Sequence, residues 1–562
     1  MNNVFLKNLI NTNGLRRTII DFFGPNNEND QDMFVPTTRL MLIKQRSSMD
    51  NAIRQAAKRL LAVLICVLSI SVSVASTGPT IETEAGTLEG VRKGDVEQFL
   101  GVPFAAPPVG KLRWSKPQAV KQWVGVRSAT AYASKCVQNG WVKPIQHYRD
   151  EDCLYLNIYR PALPAAQPLP ILVWLHGGAS VAGSSQDIDG SVFAAKTGHI
   201  VISVNYRLGA FGLASFEKSG SNFWLKDQQA ALQWIKANAN AFGGNPNHVT
   251  LIGQSAGAYS ITAHMISPAS AGLFHRAIAM SLPVGPLYAA IPAEQERQSG
   301  PTARMVKKAG CAAAADVLSC MRGKSTEEVF QAGGGDATRA AGWQMVIDKE
   351  SIPDNQMKLF TRGEFYKVPT LVGFTHEEQG FFLQARRASG QPPLSAEAFE
   401  NAVSSTPKSA KVAAIYKVSA YSSPTIASIA MVSDKWGCEV DQWVKTVSRF
   451  MPVFFYEFDD PDAPTTIFQV DEPKNGPFHN SDIPYIFQRG YPNEQNSDAP
   501  AWQPAQLALS DRIMGYFAQF SKTGIPSKDW SQSLPMILHP DGDKVETGAA
   551  FAKRHFCEAW YR

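Results

Sequence analysis

The chain has 562 residues, of which 44% are hydrophobic and 18% are charged. This composition is that of a folded protein, and it excludes a disordered chain, a collagen-like repeat and a coiled coil. The net charge of +5 comes from 54 Lys/Arg and 49 Asp/Glu. Residues 1–76 hold nine of the basic and five of the acidic residues, which leaves 45 basic and 44 acidic residues in the remainder. Because the remainder is nearly neutral, the sequence predicts no nucleic-acid partner.

The first apolar segment has the pattern of a secretory signal peptide. Arg54, Lys58 and Arg59 precede an apolar run over residues 60–75, and small residues follow it. A run of about 16 residues is shorter than the ~20 that a membrane-spanning helix needs, and an uncleaved signal anchor is the alternative. We predict a signal peptide over residues 49–75, with membrane contact only through this segment before cleavage.

A further 48 residues precede Met49, whereas a signal peptide normally begins at the N-terminus. These residues are polar and mixed, and they show no sustained periodicity. We expect Met49 to be the true start, residues 1–48 to be a non-native extension from a wrong start codon, and residues 76–562 to form the folded domain.

The cysteines agree with export. Beyond Cys66 in the apolar run six remain, and an even number in an exported chain suggests disulfides. The sequence has no C-x-x-C motif and no His-rich cluster, so it predicts no bound metal. It also lacks an N-x-S/T glycosylation motif, which favours a bacterial periplasm or medium. The expected location is therefore periplasmic or secreted.

Apolar runs and one amphipathic segment predict an α/β fold. Residues 222–240 carry apolar side chains at helical spacing, and a Gly-Gly-Asn-Pro turn cluster follows at 243–246. Strand, helix and strand with short connections indicate a largely parallel sheet wrapped by helices, with residues 284–350 and 385–430 inserted around it. The predicted buried strands are Pro170–Leu175, Ile200–Val204, Val249–Ile252, Pro369–Phe374 and Pro452–Phe458.

The first of these strands runs into His176-Gly177-Gly178-Ala179. Small residues at a strand end let main-chain N–H groups face a reacting carbonyl without obstruction by side chains. The sequence therefore predicts an oxyanion hole that includes the N–H groups of Gly178 and Ala179. A glycine turn without chemistry is the alternative.

A G-x-S-x-G motif, Gly253-Gln254-Ser255-Ala256-Gly257, directly follows the third predicted strand. A strand that enters a helix through a tight turn holds the central residue in a strained conformation, with its side chain at the tip. Ser255 is thus the candidate nucleophile, and the N–H of Ala256 is a further oxyanion donor. The alternative is a strand-to-helix turn without chemistry.

Further blocks of the sequence match one known family. They are Phe99–Gly110 with Leu112-Arg113-Trp114, Glu151–Asn157, Asn205-Tyr206-Arg207, Asp227-Gln228 and Phe242–Pro246. Over roughly residues 79–562 the chain resembles the type-B carboxylesterase/lipase family, which includes the cholinesterases. The resemblance implies an α/β-hydrolase fold, in which helices flank a large, mixed and mostly parallel sheet and insertions form a gorge.

The resemblance also implies the acid and the base of a catalytic triad. The family's acid lies in a G-x-N-x-x-E-G segment, and counting from Gly373 puts it at Glu378. Two departures from that pattern leave Glu377 as an alternative. The segment 478–485 is similar to the family's histidine loop, so His479 is the implied base. The chain order of serine, acid and histidine is that of α/β-hydrolases.

Other features are implied by the resemblance alone. Phe381 and Phe382 fall where the family lines its gorge, which implies a substrate pocket for an uncharged apolar group, with core packing as the alternative. No cofactor is implied. The implied disulfides are Cys136–Cys153, Cys311–Cys320 and Cys438–Cys557.

Several residues depart from the family pattern. Gln254 replaces the usual Glu before the nucleophile, Ala179 replaces a third Gly, and Leu282 replaces a common Gly. Trp141 is out of register with the tryptophan on which cholinesterases bind choline. We therefore expect a protein that is not a cholinesterase.

The predicted function is that of an exported serine carboxylesterase acting on a small-molecule ester through an acyl-serine intermediate. One alternative is a non-catalytic binding or adhesion protein on the same fold, which the presence of all three triad residues disfavours. The other is an amidase, lactonase or polyester hydrolase with the same triad, which shares the acyl-transfer chemistry.

Overall fold

A mixed sheet of 11 strands forms the centre of the computed structural model, which describes residues 78–140, 145–162, 165–285, 290–335, 342–464, 468, 470, 472–473, 475–488 and 502–561. The predicted extension, the predicted signal peptide and Trp141 lie outside the described residues. Within the described part, no helix is long and apolar enough to cross a membrane.

The strands are β1 Thr80–Thr83, β2 Gly86–Glu89, β3 Val91–Lys93, β4 Val96–Pro103, β5 Val126–Ser128, β6 Gln138–Asn139, β7 His147–Tyr148, β8 Tyr155–Pro161, β9 Leu169–Leu175, β10 Ile200–Val204, β11 Gly244–Gln254, β12 Arg276–Met280, β13 Ile291–Pro292, β14 Val346–Ile347, β15 Thr370–Thr375, β16 Val453–Phe458, β17 Pro535–Leu538 and β18 Lys544–Val545.

The α-helices are α1 Ser191–Thr197, α2 Gly209–Leu213, α3 Phe223–Asn238, α4 Ala256–Ile266, α5 Ala293–Gln298, α6 Pro301–Lys308, α7 Val317–Arg322, α8 Thr326–Ala332, α9 Gln356–Arg362, α10 Gln379–Ala388, α11 Ala396–Ser404, α12 Ser409–Ile415, α13 Pro424–Val447, α14 Ile483–Phe487, α15 Pro504–Thr523 and α16 Gly548–Arg554.

The order of the central sheet is β18-β17-β16-β15-β12-β11-β9-β10-β8-β4-β3. The strands from β17 to β10 pair in parallel, whereas β8, β4, β3 and β18 join through antiparallel pairs. The five predicted buried strands are confirmed as β9, β10, β11, β15 and β16, and the predicted helix is α3. Because neighbouring parallel strands end at one edge, the loops after them meet there.

One boundary is corrected. The turn cluster predicted at 243–246 is a turn only at Gly243, and β11 already begins at Gly244. Gly244 pairs with Leu169, and the register then shifts before Val249 pairs with Ile171. An irregular start of this kind is compatible with Pro246, which has no N–H to donate to the ladder.

The sheet is buried on both faces, which explains why its strands are continuously apolar. In β9 the side chains of Ile171, Val173 and Leu175 join one hydrophobic cluster with α3, α4 and α13. Leu172 and Trp174 join the cluster on the other face with α1, α14 and α15. The predicted α/β architecture is therefore confirmed.

Three disulfides link the described cysteines, and they are the pairs that the resemblance implied. They are Cys136–Cys153, Cys311–Cys320 and Cys438–Cys557, with sequence separations of 17, 9 and 119 residues. The third joins α13 to the end of the chain and closes a loop that includes the predicted histidine segment.

Loop length predicts which disulfide matters most for stability. Replacing Cys438 and Cys557 with alanine should lower the free energy of unfolding by about 2 kcal/mol more than replacing Cys311 and Cys320, because the longer loop restricts the unfolded chain more. Urea denaturation of both double variants under non-reducing conditions measures the difference. Equal losses would show that loop closure does not set the effect.

Candidate active site

Ser255 lies at a sharp turn between β11 and α4. Its backbone has φ 58° and ψ −117°, a region that costs a non-glycine residue about 1–3 kcal/mol. The N–H of Ser255 donates to the carbonyl of Met280 at 2.9 Å, and its carbonyl accepts from Tyr259 at 2.9 Å. The turn is thereby held on both sides, with the Ser255 side chain partly exposed at its tip.

Glycines allow the backbone to pass closely beside this turn. A Cβ atom on Gly257 would lie 1.9 Å from the carbonyl oxygen of Leu175, the last residue of β9. A Cβ atom on Gly177 would lie 2.8 Å from Oε1 of Gln254 and 3.3 Å from Cβ of Ser255. The loop after β9 can therefore run against the serine only because these positions carry no side chain.

The loop after β9 presents free N–H groups. Gly178 and Ala179 have φ values of 101° and 54°, and the carbonyl of Gly178 accepts from Val181 and Ala182, both at 3.0 Å. Within the described residues, the N–H groups of Gly178, Ala179 and Ala256 donate to no protein acceptor. The three predicted oxyanion donors are thus available to an external oxygen.

Glu378 and His479 form a buried pair. Nδ1 of His479 donates to Oε2 of Glu378 in a short hydrogen bond, and Glu378 Oε1 accepts from the N–H of Thr375 at 2.9 Å. Glu378 is fully buried, and His479 is almost so. Because Nδ1 carries the shared proton, Nε2 is the nitrogen left to act as an acceptor.

The side chain of Glu377 does not bond His479. The N–H of Glu377 donates to the carbonyl of Pro477 at 2.9 Å, and its backbone forms a bridge to Phe478 that joins the turn after β15 to the histidine loop. Burial raises the pKa of the Glu377 carboxyl, and the charge of His376 opposes this shift. The structure therefore brings Glu378, rather than Glu377, against His479.

Gln254 contacts Nε2 of His479, the imidazole nitrogen that does not bond Glu378. Its Nε2 lies 3.1 Å from Nε2 of His479, and both side chains are buried. Since this imidazole nitrogen is the acceptor, the amide of Gln254 donates to it. No hydrogen bond joins Ser255 to His479 in the described structure, and such bonds often form only when substrate binds. The sequence singled out Gln254 as a departure, but it did not predict this contact.

An aromatic wall stands beside His479. The ring centroids of Phe382 and Trp436 lie 5.1 Å and 5.4 Å from the imidazole, and the two aromatic rings stack at 6.4 Å. Phe382 is 38% exposed, whereas Phe381 is 7% exposed and packs against Phe468. Phe381 thus joins a buried cluster while its ring also lies 5.8 Å from the imidazole, and Phe382 and Trp436 are more exposed.

Trp436 was not predicted. It lies on α13, and its Nε1 donates to the carbonyl of Leu282 at 3.0 Å. No local pattern marks it, because an aromatic residue in an amphipathic helix is normally part of the core. Only the packing of α13 against α10 brings Trp436 to the site.

Asp482 is a buried acid in the histidine loop. Burial raises its pKa to about 7, with the charge of Glu378 adding to the shift and the hydrogen bond from Tyr456 opposing it. The Tyr456 hydroxyl donates to Oδ2 of Asp482 at 2.9 Å. A carboxyl with a raised pKa therefore lies close to the Glu378–His479 pair.

A strained serine between a central strand and a helix, with an acid–histidine pair from later loops, defines an α/β-hydrolase. Solved structures agree: this chain is similar to a PNB esterase at 29% identity and a TM-score of 0.70, over 85% of this chain and 100% of that one. A thermophilic PNB esterase gives 28% identity and a TM-score of 0.71, over 86% and 100% of the two chains.

The family model described as "Carboxylesterase family" matches residues 77–547. An acylcarnitine hydrolase of Mus musculus is 31% identical over 82% of this chain and 86% of its own length. A para-nitrobenzyl esterase of Bacillus subtilis (strain 168) is 33% identical over 81% of this chain and 91% of its own length. The chain belongs to the carboxylesterase family, and its enzymatic class is that of the carboxylic ester hydrolases.

Proposed function

We propose that the protein is an exported serine carboxylesterase in which Ser255, His479 and Glu378 form the catalytic triad. The observation that carries this proposal is the buried hydrogen bond between Glu378 and His479 at the sheet edge where Ser255 occupies its strained turn. Export is supported by the three disulfides, which persist in oxidising compartments.

The reaction begins when Ser255 Oγ attacks the ester carbonyl and Nε2 of His479 takes its proton. Glu378 keeps the other imidazole proton on Nδ1 and stabilises the imidazolium that forms. The N–H groups of Gly178, Ala179 and Ala256 stabilise the oxyanion. His479 then protonates the leaving alcohol, and water hydrolyses the acyl-serine by the same steps in reverse.

The substrate is an uncharged ester with an apolar group. Phe382 and Trp436 present aromatic faces next to His479, and such faces bind apolar groups by excluding water.

Two assays on the purified protein test this proposal. We expect hydrolysis of p-nitrophenyl acetate, butyrate and octanoate, and covalent labelling by a fluorophosphonate on the peptide that contains Ser255. Hydrolysis without labelling at Ser255 would reject the assigned nucleophile. A folded protein with its disulfides intact that does neither would be a binding protein rather than an esterase.

Gln254→Glu should shift the pH dependence of the reaction. The amide of Gln254 donates to Nε2 of His479, and a carboxylate in its place would put a negative charge beside the imidazole and so favour its cationic form. We therefore expect the acidic limb of kcat/KM to move to higher pH by about 1 unit. The measurement is a pH profile with p-nitrophenyl butyrate.

The matched control is Gln254→Met, which removes the amide and adds no charge. Its acidic limb should stay closer to that of the parent protein than the limb of Gln254→Glu does. An unchanged limb in Gln254→Glu would show that this side chain does not influence the protonation of the base.

A further inference from the structure

A fully buried carboxylate, Glu457 on β16, lies behind the turn that carries Glu378. It accepts hydrogen bonds from Nη1 and Nη2 of Arg554 at 2.8 and 2.5 Å, and from Nδ1 of His376 at 2.5 Å. Nε2 of His555 completes the set at 3.3 Å. We call Glu457, Arg554, His555 and His376 the Glu457 cluster. It takes no part in the reaction described above.

The Glu457 cluster connects distant parts of the chain. His376 lies two residues before Glu378, and its N–H donates to the carbonyl of Phe458 at 2.9 Å. Arg554 and His555 lie at the end of α16, just before Cys557 and its disulfide. The turn of the proposed catalytic acid is thus joined to the C-terminal helix through a single carboxylate.

The outer members of the network are also paired. Nδ1 of His555 bonds Oδ1 of Asp434 at 2.7 Å, and Arg554 bonds Glu546 at 2.7 Å. These contacts attach the Glu457 cluster to α13 and to the segment before α16. Each oxygen of Glu457 is therefore fixed by groups that are themselves held in place.

The Glu457 cluster is arranged as ion pairs rather than as a cation site. Among the described residues, ligand atoms of His376, Glu457 and His555 lie within 4.8 Å of one another, a spacing that a metal ion could span. The guanidinium of Arg554, however, bonds both oxygens of Glu457. A cation would have to displace this guanidinium, so a bidentate ion pair describes the site better.

The protonation of His376 follows from the charges around it. Burial alone would lower its pKa, but the hydrogen bond and charge of Glu457, with Asp459, outweigh this effect and raise the pKa to about 9. Burial would raise the pKa of Glu457, but the hydrogen bonds from Arg554, His376 and His555 outweigh it and hold that pKa well below its usual range. The groups facing His376 are Glu457, Asp459, Arg554, His555 and Glu377.

We propose that His376 is a positioning residue, whose ion pair with Glu457 fixes the turn that presents Glu378 to His479. This rests on the proposed function, because it assigns Glu378 a role in the reaction. The cationic imidazole holds one side of a turn whose other side carries the acid. Loss of that cation leaves Glu378 less well oriented, and a displacement of about 1 Å can cost ~10²-fold in rate.

The pH dependence follows from the raised pKa of His376. Below about 6.5, the ordinary value, the ion pair stabilises the folded state fully, and this stabilisation is lost as the pH rises through about 9. The same deprotonation removes the charge from the contact with Glu457 and so weakens the hold on the turn, while a neutral Nδ1–H can still donate. Activity should therefore fall in an alkaline step near pH 9, while the acidic limb is unaffected.

The test uses His376→Gln and His376→Lys in the full protein. We expect His376→Gln to lower kcat for p-nitrophenyl butyrate about tenfold at pH 8, with KM within twofold, and to lack the step near pH 9. His376→Lys keeps a cation and should restore kcat to within threefold of the parent protein, with the step at higher pH. His539→Gln, at a partly exposed histidine near Asp541, is the matched control and should match the parent.

The results that would reject the role of His376 differ from those that would reject the proposed function. If His376→Gln keeps both kcat and the alkaline step, or only lowers the melting temperature, the residue is purely structural and the proposal is wrong. If His376→Gln does not fold, Arg554→Lys replaces it as the test, because it weakens the hold on Glu457 without changing charge. If the parent protein neither hydrolyses esters nor is labelled at Ser255, the proposed function itself fails.

Discussion

Ser255→Ala is expected to abolish esterase activity almost completely, with kcat falling by at least about 10⁴-fold. The strained turn exposes Oγ of Ser255 at the edge where the free N–H groups and the Glu378–His479 pair meet. Without this oxygen no acyl-enzyme can form. The loss should appear in kcat, since alanine leaves the aromatic wall and the N–H groups in place.

The residual rate is informative. Removal of a nucleophile leaves the catalysis that arises from the oxyanion donors and from binding, typically 10³–10⁴-fold over water. Ser260→Ala is the matched control, because Ser260 lies one turn later on α4 and its hydroxyl bonds the carbonyl of Ala256 at 2.9 Å. We expect Ser260→Ala to keep activity within a few fold. Equal losses in both variants would indicate damage to α4 rather than loss of a nucleophile.

Fluorophosphonate labelling provides a second measurement for the same variants. The reagent should modify the parent protein and Ser260→Ala at one serine, and it should not modify Ser255→Ala. Labelling that persists in Ser255→Ala would place the reactive hydroxyl elsewhere.

Local patterns were sufficient for the parts of the fold that depend on short-range order. Buried parallel strands are continuously apolar, so β9, β10 and β16 were visible in the sequence. The turns that carry Ser255 and Gly178 could be predicted because tight turns at strand ends restrict which residues fit. These features need only a few neighbouring residues to be specified.

Prediction of the proposed acid and base required the family resemblance, because no short pattern distinguishes a buried carboxylate from an exposed one. Glu377 and Glu378 are adjacent, but Glu378 is fully buried and bonds His479, whereas Glu377 is partly exposed. The contacts of Trp436 and of Gln254 with His479 could not be predicted, since each joins elements far apart in the chain.

The Glu457 cluster illustrates the same limit. Glu457 is bonded by His376, Arg554 and His555. Each of these residues lies far from Glu457 in the sequence, so no short motif contains Glu457 together with a partner. The cluster exists because β15 and β16 are neighbours and α16 returns the chain to them. Long-range charge networks of this kind follow from topology, and a single sequence does not specify that topology locally.

Glu378→Gln should reduce kcat by about 10³–10⁴-fold, whereas Glu377→Gln should leave it within about threefold. In Glu378→Gln the amide can still accept from the N–H of Thr375, but its NH₂ group would face Nδ1 of His479. The imidazole would then carry its proton on Nε2, where it cannot take the serine proton. In Glu377→Gln this tautomer is unchanged, because the Glu377 carboxyl lies beside Gly476 and it is Glu378 that bonds the imidazole of His479.

The two variants form a matched pair, because they make the same chemical change at adjacent residues. Steady-state hydrolysis of p-nitrophenyl butyrate at pH 8 measures both, and thermal unfolding checks that each is folded. A large loss in Glu377→Gln with a small loss in Glu378→Gln would reverse the assignment of the acid. Equal large losses would mean that the turn after β15 needs both carboxylates, a result that the geometry of Glu377 does not predict.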